Sequence, residues 1–278
     1  MLISVIGTGY LGATHAAGMA ELGFDVIGVD LDPDKIAALS EGRVPFHEPG
    51  LPELLRKHVE SGRLRFTTEI AELHACDVHF ICVGTPQREG EIAADLTYVD
   101  AAVEAILPHL APGELVVGKS TVPVGTAQEI AVRLSADAPG NGDVDLAWNP
   151  EFLREGTAVK DTLHPDRIVI GIRSEMAEKV LREVYATQLD EGVPLVVTDV
   201  ATAELVKVAA NAFLAMKVSF INAMAEMCEA TGADVVALRD AVGRDERIGT
   251  RYLHAGLGFG GGCLPKDIRA LMAQAGDL

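Results

Sequence analysis

Four cysteines are spread along the chain, and one of them, Cys263, stands in a setting that activates sulfur. It follows Gly260-Gly261-Gly262 and precedes Leu264-Pro265-Lys266-Asp267. The glycines let backbone approach a ligand closely, and Pro265 suits the first turn of a helix. A thiol at a helix N-terminus beside Lys266 is expected to be partly thiolate, the form that attacks a carbonyl carbon. Asp267 is either a partner in that chemistry or an ordinary carboxylate in a first helical turn. Cys76, Cys82 and Cys228 lie in or beside apolar segments and read as inert packing. Nothing in the sequence has the spacing of a metal site or a disulfide scaffold. Lys207 and Asn211 are four residues apart in a stretch free of Gly and Pro, so they share one helix face. Such a pair can hold a substrate oxygen and stabilise charge developing on it. The plain alternative is a surface lysine beside a helix-interior amide. Glu151 and Glu155 flank Phe152-Leu153-Arg154 just beyond an expected strand end, as acid–base groups or as helix-start carboxylates.

A second chemistry is written at the N-terminus. Gly7-Thr8-Gly9-Tyr10-Leu11-Gly12 matches G-x-G-x-x-G, directly after the apolar run LISVI and ahead of an expected helix. Asp30 ends the next apolar run, DVIGV, 18 residues beyond Gly12. In a strand–turn–helix–strand unit this is a dinucleotide fingerprint, with the pyrophosphate over the helix N-terminus and the acid on the adenosine ribose. A carboxylate there repels a 2′-phosphate, and no arginine follows it, so NAD is expected rather than NADP. Three more strand ends fall on the same side: Val83-Gly84-Thr85-Pro86, the run 119–126 with Ser120 and Thr121, and Asn149-Pro150-Glu151. Ligands of open α/β sheets bind outside strand carboxyl ends, although Gly and Pro are also ordinary turn formers.

These groups need a scaffold. Apolar, β-branched runs predict strands at 2–6, 25–29, 78–83, 115–118, 144–147, 167–171 and 195–198. Helical patterns at 10–23, 33–41, 51–61, 97–110, 125–136 and 174–187 mostly alternate with them, predicting an α/β, Rossmann-like, doubly wound parallel sheet. The segment 135–143 reads as a surface loop. Residues 200–230 are rich in Ala, Leu, Met, Glu and Lys and predict one helix of roughly eight turns. Its two apolar faces suit a connector and homodimer core. Shorter helices are expected at 233–242 and from about Pro265. The domains expected are 1–199, binding NAD, and 200–278, holding the long helix and the remaining active-site region.

Composition narrows the function classes. The 278 residues are 49% hydrophobic with a net charge of −18, which suits a globular chain and opposes nucleic-acid or anionic-membrane binding. Residues 1–150 hold 9 basic and 22 acidic side chains, the rest 14 and 19, so the second part is the less hostile to an anionic ligand. Its arginines cluster at Arg239, Arg244, Arg247 and Arg251. No signal peptide and no run of about 18 uninterrupted apolar residues is seen, and a reducing cytoplasm is the simplest compartment.

In order along the chain stand GTGYLG, HEPGL (47–51), VGTP (83–86), STVPVGT (120–126), NPEFLREG (149–156), HPDRIVIG (164–171), ELVKVAANAFLAMKVSFINAMAE (204–226), RIG (247–249) and GFGGGCLPKD (258–267). Together they closely resemble the UDP-glucose/GDP-mannose dehydrogenase family over essentially the whole chain. The resemblance implies oxidation of a nucleotide-sugar C6 alcohol to a carboxylate with two NAD, UDP-glucose being the preferred substrate. It implies that Cys263 forms a thiohemiacetal and then a thioester. Lys207 and Asn211 match residues that stabilise the reacting oxygen, Asp267 a residue of base catalysis, and Glu151 and Thr121 positions for water handling. Glu151–Glu155 matches a sugar-binding segment, with Glu155 also near the nicotinamide. Lys35 and Lys266 match cofactor contacts. Arg247 matches an arginine reaching a neighbouring subunit's substrate, and Tyr252, Leu253, His254 and Gly260 fall in or beside a nucleotide-sugar-binding loop. Gly262 and Leu264 stand where many members carry Ser and Phe. Family members continue into a nucleotide-binding domain that these 278 residues do not include. Two other readings remain at this point: a two-electron β-hydroxyacid dehydrogenase, which needs no cysteine, and an NAD-binding, dimerising module without turnover.

Overall fold

A computed structural model describes residues 1–140 and 142–277; Asn141, inside the expected 135–143 loop, and Leu278 lie outside the described residues. The central layer is one eight-stranded sheet in the order β3-β2-β1-β4-β5-β6-β7-β8. Its strands are β1 (Leu2–Ile6), β2 (Asp25–Val29), β3 (Leu64–Thr67), β4 (Val78–Ile81), β5 (Leu115–Gly118), β6 (Asp145–Trp148), β7 (Ile168–Gly171) and β8 (Leu195–Thr198). The first six pair in parallel in the doubly wound order 3-2-1-4-5-6. Their apolar runs are continuous because helices cover both faces.

The sheet departs from the sequence expectation in two ways. The sheet is mixed: β7 runs antiparallel to β6 through the single register pair Trp148↔Gly171, and β8 follows β7 in parallel. An apolar run reads the same in either direction, so alternation of elements does not reveal that the chain has turned round. The other is β3, which lies on the edge of the sheet and carries the exposed Arg65 within LRFT, so it lacks the apolar run that marks its neighbours. The expected helix at 97–110 ends at Ile106 and gives way to a 3₁₀ turn, Leu107–His109, at Pro108.

Helix α1 (Tyr10–Glu21) is built of small residues and is buried from Gly12 to Ala20. It is followed by α2 (Pro33–Ser40), α3 (Leu51–Glu60), α4 (Thr97–Ile106), α5 (Thr126–Asp137), α6 (Ala158–Leu163), α7 (Glu175–Val184) and α8 (Ala186–Asp190). The expected helix 125–136 and loop 135–143 overlap at Ser135 and Ala136, and α5 takes both together with Asp137. Tight contacts fix the sheet. A Cβ on Gly118 would lie 2.0 Å from the Trp148 ring, so Trp148 packs flat against a position only glycine fills. Ser4 Oγ bonds His79 Nδ1 at 2.8 Å and His79 Nε2 bonds Glu114 at 3.1 Å. This Ser–His–Glu series has the composition of a nucleophilic triad, but all three residues are buried, so it ties β1 and β4 to the start of β5 rather than meeting substrate.

The chain divides into two compact units, Met1–Pro86 with Asp95–Leu205, and Gln87–Ala94 with Val206–Leu278. Helix α9 (Val200–Thr231) begins in the first and forms the spine of the second. The second also holds α10 (Val235–Gly243), capped by Asp234, and α11 (Leu264–Asp277). By length and a mean hydropathy of 1.4, α9 could cross a bilayer. It carries the buried polar residues Glu204, Lys207 and Asn211 near its start, while most of its length, including Phe213, Met216, Phe220 and Met227, lies outside the core.

Candidate active site

The cofactor turn is dictated by glycine. Gly7 ends β1 with φ +86° and donates to the Val29 carbonyl at 2.8 Å. A Cβ on Gly12 would lie 1.8 Å from the Gly7 oxygen, so the turn closes only around glycine. Gly9 has nothing within 4 Å of its would-be Cβ, and it starts α1 with no side-chain cap and no acid in the first turn. That is an open cradle at a helix N-terminus, where backbone N–H groups at Tyr10 and Leu11 meet an anion. Asp30 sits beside it: one oxygen accepts Thr8 N–H at 2.8 Å, Thr8 Oγ1 at 3.1 Å and Lys35 Nζ at 2.8 Å. Burial pushes its carboxyl up, but Lys35 and the N–H donors outweigh this and hold it below the usual carboxylate range. The cradle and the acid fit a dinucleotide.

The neighbouring strand ends are tied to one another. Ser120 Oγ donates to the Val83 carbonyl at 2.7 Å, and Thr85 Oγ1 donates to the Thr121 carbonyl at 2.7 Å. These bonds clamp the Val83–Thr85 turn, with Gly84, to the Ser120-Thr121 turn. Lys119 Nζ donates to Asn149 Oδ1 at 2.8 Å, Tyr185 Oη donates to the same oxygen at 2.5 Å, and Asn149 Nδ2 donates to the Val169 carbonyl at 2.7 Å. Asn149 thus joins the ends of β5, β6 and β7. Beyond it, Glu151 folds back to accept Leu153 N–H at 2.6 Å. The Phe152 ring carries the Arg167 guanidinium 3.8 Å from its centroid. Arg154 pairs with buried Asp161, whose carboxyl burial pushes up and Arg154 pulls below its ordinary range. Glu155 is exposed.

The second unit gathers the rest of the predicted catalytic set. Lys207, Asn211 and Asp267 are all buried. Asn211 Nδ2 donates to Asp267 Oδ2 at 2.6 Å, and Lys266 Nζ pairs with Asp267 Oδ1 at 2.7 Å. Asp267 N–H donates to the Cys263 carbonyl at 3.0 Å, which places Cys263 immediately before the first turn of α11. Cys263 is exposed whereas Cys76, Cys82 and Cys228 are buried, and burial pushes the Cys76 and Cys82 thiols up to about 12. Cys263, Lys266 and Asp267 therefore share the start of α11, and Asn211 of α9 reaches them through Asp267. Arg247 is not brought to this group: its side chain is 88% exposed and pairs with Asp245. Tyr252 holds φ +62°, the only positive φ outside glycine among the described residues. Leu253 is buried, His254 Nδ1 bonds Arg239 at 2.8 Å, and Gly260 is exposed.

Sequence reasoning gave no role to Lys119, Asp161, Arg167 or Glu48. Glu48 has a cue in its place inside HEPGL, Arg167 in HPDRIVIG and Lys119 at the head of the 119–126 run, whereas Asp161 has none.

Comparison with known proteins gives the family. Residues 1–189 match the NAD binding domain of the UDP-glucose/GDP-mannose dehydrogenase family, and residues 201–278 match its central domain. The chain belongs to that family. NAD is accordingly its cofactor. It is 48% identical to the UDP-glucose 6-dehydrogenase of Rhizobium meliloti (strain 1021), over all of this chain and 64% of that protein. It superposes on a UDP-glucose dehydrogenase structure from the hyperthermophilic archaeon Pyrobaculum islandicum with a TM-score of 0.94 at 43% identity, covering 99% of this chain and 64% of the other. A ternary complex of GDP-mannose dehydrogenase from Pseudomonas aeruginosa gives a TM-score of 0.82 at 36% identity, covering 100% and 65%. The chain thus spans less than two thirds of the length of each of these three proteins.

Proposed function

We propose that this chain carries the NAD-binding and thiol chemistry of a nucleotide-sugar 6-dehydrogenase, with UDP-glucose as first-choice substrate, which takes a C6 alcohol through the aldehyde to the carboxylate. The observation that carries this reading is the exposed Cys263 at the start of α11, one turn from the Asn211–Asp267–Lys266 cluster. An alcohol dehydrogenase that stops at the aldehyde needs no nucleophile. One that continues does, because only a tetrahedral adduct can give up a second hydride.

Bound NAD supplies the acceptor for one hydride in each of the two oxidations. Asp267 serves as the base that takes the C6 hydroxyl proton in the first. The Cys263 thiolate then adds to the aldehyde carbon, and the carbonyl pair moves onto oxygen, where Lys207 and Asn211 donate to the oxyanion. Collapse of that oxyanion as hydride leaves gives a thioester. Water, oriented by Glu151 and Thr121, gives one proton to Glu151 as it attacks the acyl carbon, the Cys263 sulfur departs as thiolate, and the carboxylic acid formed loses its proton to solvent and leaves as the carboxylate. The Glu151–Glu155 segment holds the sugar, and the loop through Tyr252, Leu253, His254 and Gly260, with Arg247, serves the charged nucleotide part. The exposed Phe213, Met216, Phe220 and Met227 on α9 support assembly as a homodimer.

The test is NADH release against a panel of UDP-glucose, GDP-mannose and N-acetylated UDP-sugars. Two NADH per sugar are expected, with Cys263→Ala forming no acid. One NADH per sugar with free aldehyde released, or full turnover in Cys263→Ala, refutes the mechanism.

A further inference from the structure

The Glu48 carboxylate is 2% exposed, and the proposed mechanism gives it no task. It collects three hydrogen bonds, one from the N-terminal turn and two from the stretch 156–159. Tyr10 Oη, from the cofactor turn, donates to Oε2 at 2.5 Å. Gly156 N–H, from the end of the sugar-binding segment, donates to the same oxygen at 2.9 Å. Val159 N–H, in the first turn of α6, donates to Oε1 at 3.3 Å. Gly156 N–H also lies 3.2 Å from Tyr10 Oη, so the phenol, the carboxylate and the glycine N–H form a closed triangle. The Tyr10 ring is itself held edge-on against Phe46, centroids 5.0 Å apart. Gly156 has φ +86°, a conformation that needs glycine and fixes the direction of its N–H.

These contacts have a consequence for binding order. Tyr10 is the first residue of α1, and its backbone belongs to the cradle that meets the pyrophosphate. A dinucleotide that pins this turn also pins the Tyr10 ring, and through Glu48 it pins the Gly156 end of the 149–156 segment. We propose that Glu48 is a positioning residue, and that the Tyr10–Glu48–Gly156 triangle couples occupancy of the NAD cradle to ordering of the segment that receives the sugar. The sugar half of this statement rests on the function proposed above; the coupling between the two segments does not.

The experiment is hydrogen exchange of the amides at 150–158, with and without saturating NAD, in the full chain and two variants, with NAD affinity measured separately by calorimetry. In the wild type NAD is expected to slow exchange at 150–158 by about fivefold or more, the low end of ordinary coupling between sites. Tyr10→Phe removes the phenol but leaves Glu48 to accept Gly156 and Val159. Its NAD-free exchange is expected within about twofold of wild type, with NAD still bound and the NAD-dependent slowing lost. Glu48→Gln keeps the volume but loses acceptor capacity, and exchange is expected about tenfold faster with or without NAD. A purely structural role would give the two variants the same pattern. The proposal is overturned if NAD leaves wild-type exchange at 150–158 unchanged, if Tyr10→Phe keeps the full NAD response, or if Glu48→Gln behaves as wild type. A wild type that shows the NAD-linked slowing yet oxidises no nucleotide sugar keeps the coupling and refutes the function proposed above.

Discussion

Replacing Glu204 by Gln should flatten the pH dependence of stability in the first unit. The Glu204 carboxyl is buried at the start of α9 and caps α5, accepting Gly125 N–H at 2.8 Å and Ala127 N–H at 2.6 Å. Burial pushes it up, the two N–H donors pull it back, Glu129 pushes it up further, and it titrates at about 7. In the unfolded chain it returns to its ordinary value of 4.5. The folded state therefore holds this proton more tightly than the unfolded state. Its contribution is complete below the unfolded value and is lost as pH rises through the folded one. Each unit of separation is worth about 1.4 kcal/mol, so the loss between pH 5 and pH 8 comes to roughly 2 kcal/mol. The assay is urea unfolding at four pH values across that range, followed by fluorescence of Trp148, the chain's single tryptophan, which is buried in the same unit. Glu204→Gln has nothing to titrate. It should be less stable at pH 5, by about 1 kcal/mol for the weakened cap, and the gap should close or reverse by pH 8. Parallel curves for the two proteins would refute the raised titration of Glu204.

Three further outcomes are expected. Gly12→Ala places a Cβ 1.8 Å from the Gly7 oxygen, so the turn must open, and NAD affinity measured by calorimetry should fall at least about tenfold, matching the 1–3 kcal/mol typical of overpacking. Asn149→Ala removes the acceptor of Lys119 and Tyr185 and the donor to Val169, and urea unfolding should show a loss of about 2–3 kcal/mol. Brief treatment of the native chain with iodoacetamide should label Cys263 and spare buried Cys76, Cys82 and Cys228, read by peptide mass spectrometry.

Much of the site was legible because local chemistry requires particular residues. The cofactor turn tolerates only glycine at positions 7 and 12, and the sequence displays them at a fixed distance from Asp30. Lys207 and Asn211 share a helix face by arithmetic, and Pro265 marks where α11 begins. Less visible were groups whose partners are remote in the chain. Glu48 serves residues 10, 156 and 159, and Lys119 serves Asn149. No local periodicity encodes those pairings. The direction of β7 and the existence of β3 escaped for related reasons: strand pairing is a long-range event, and an edge strand need not be apolar.

The turn between β6 and β7 has one more consequence, for the order in which the chain assembles. On either side of it the strands satisfy each other through full ladders, but across it a single residue pair, Trp148↔Gly171, carries the backbone pairing. The Asn149 side chain supplies a further rung to Val169. A sheet with such a seam can form as two pieces, with β7, β8 and their helices docking onto a six-stranded body already complete. Asn149 is both the last rung of that docking and the immediate neighbour of Pro150 and Glu151. In that order of assembly the six-stranded body holds its dinucleotide turn and the Lys119–Asn149 bond first, and the arriving β7 then adds the Asn149–Val169 rung beside the segment proposed to receive the sugar.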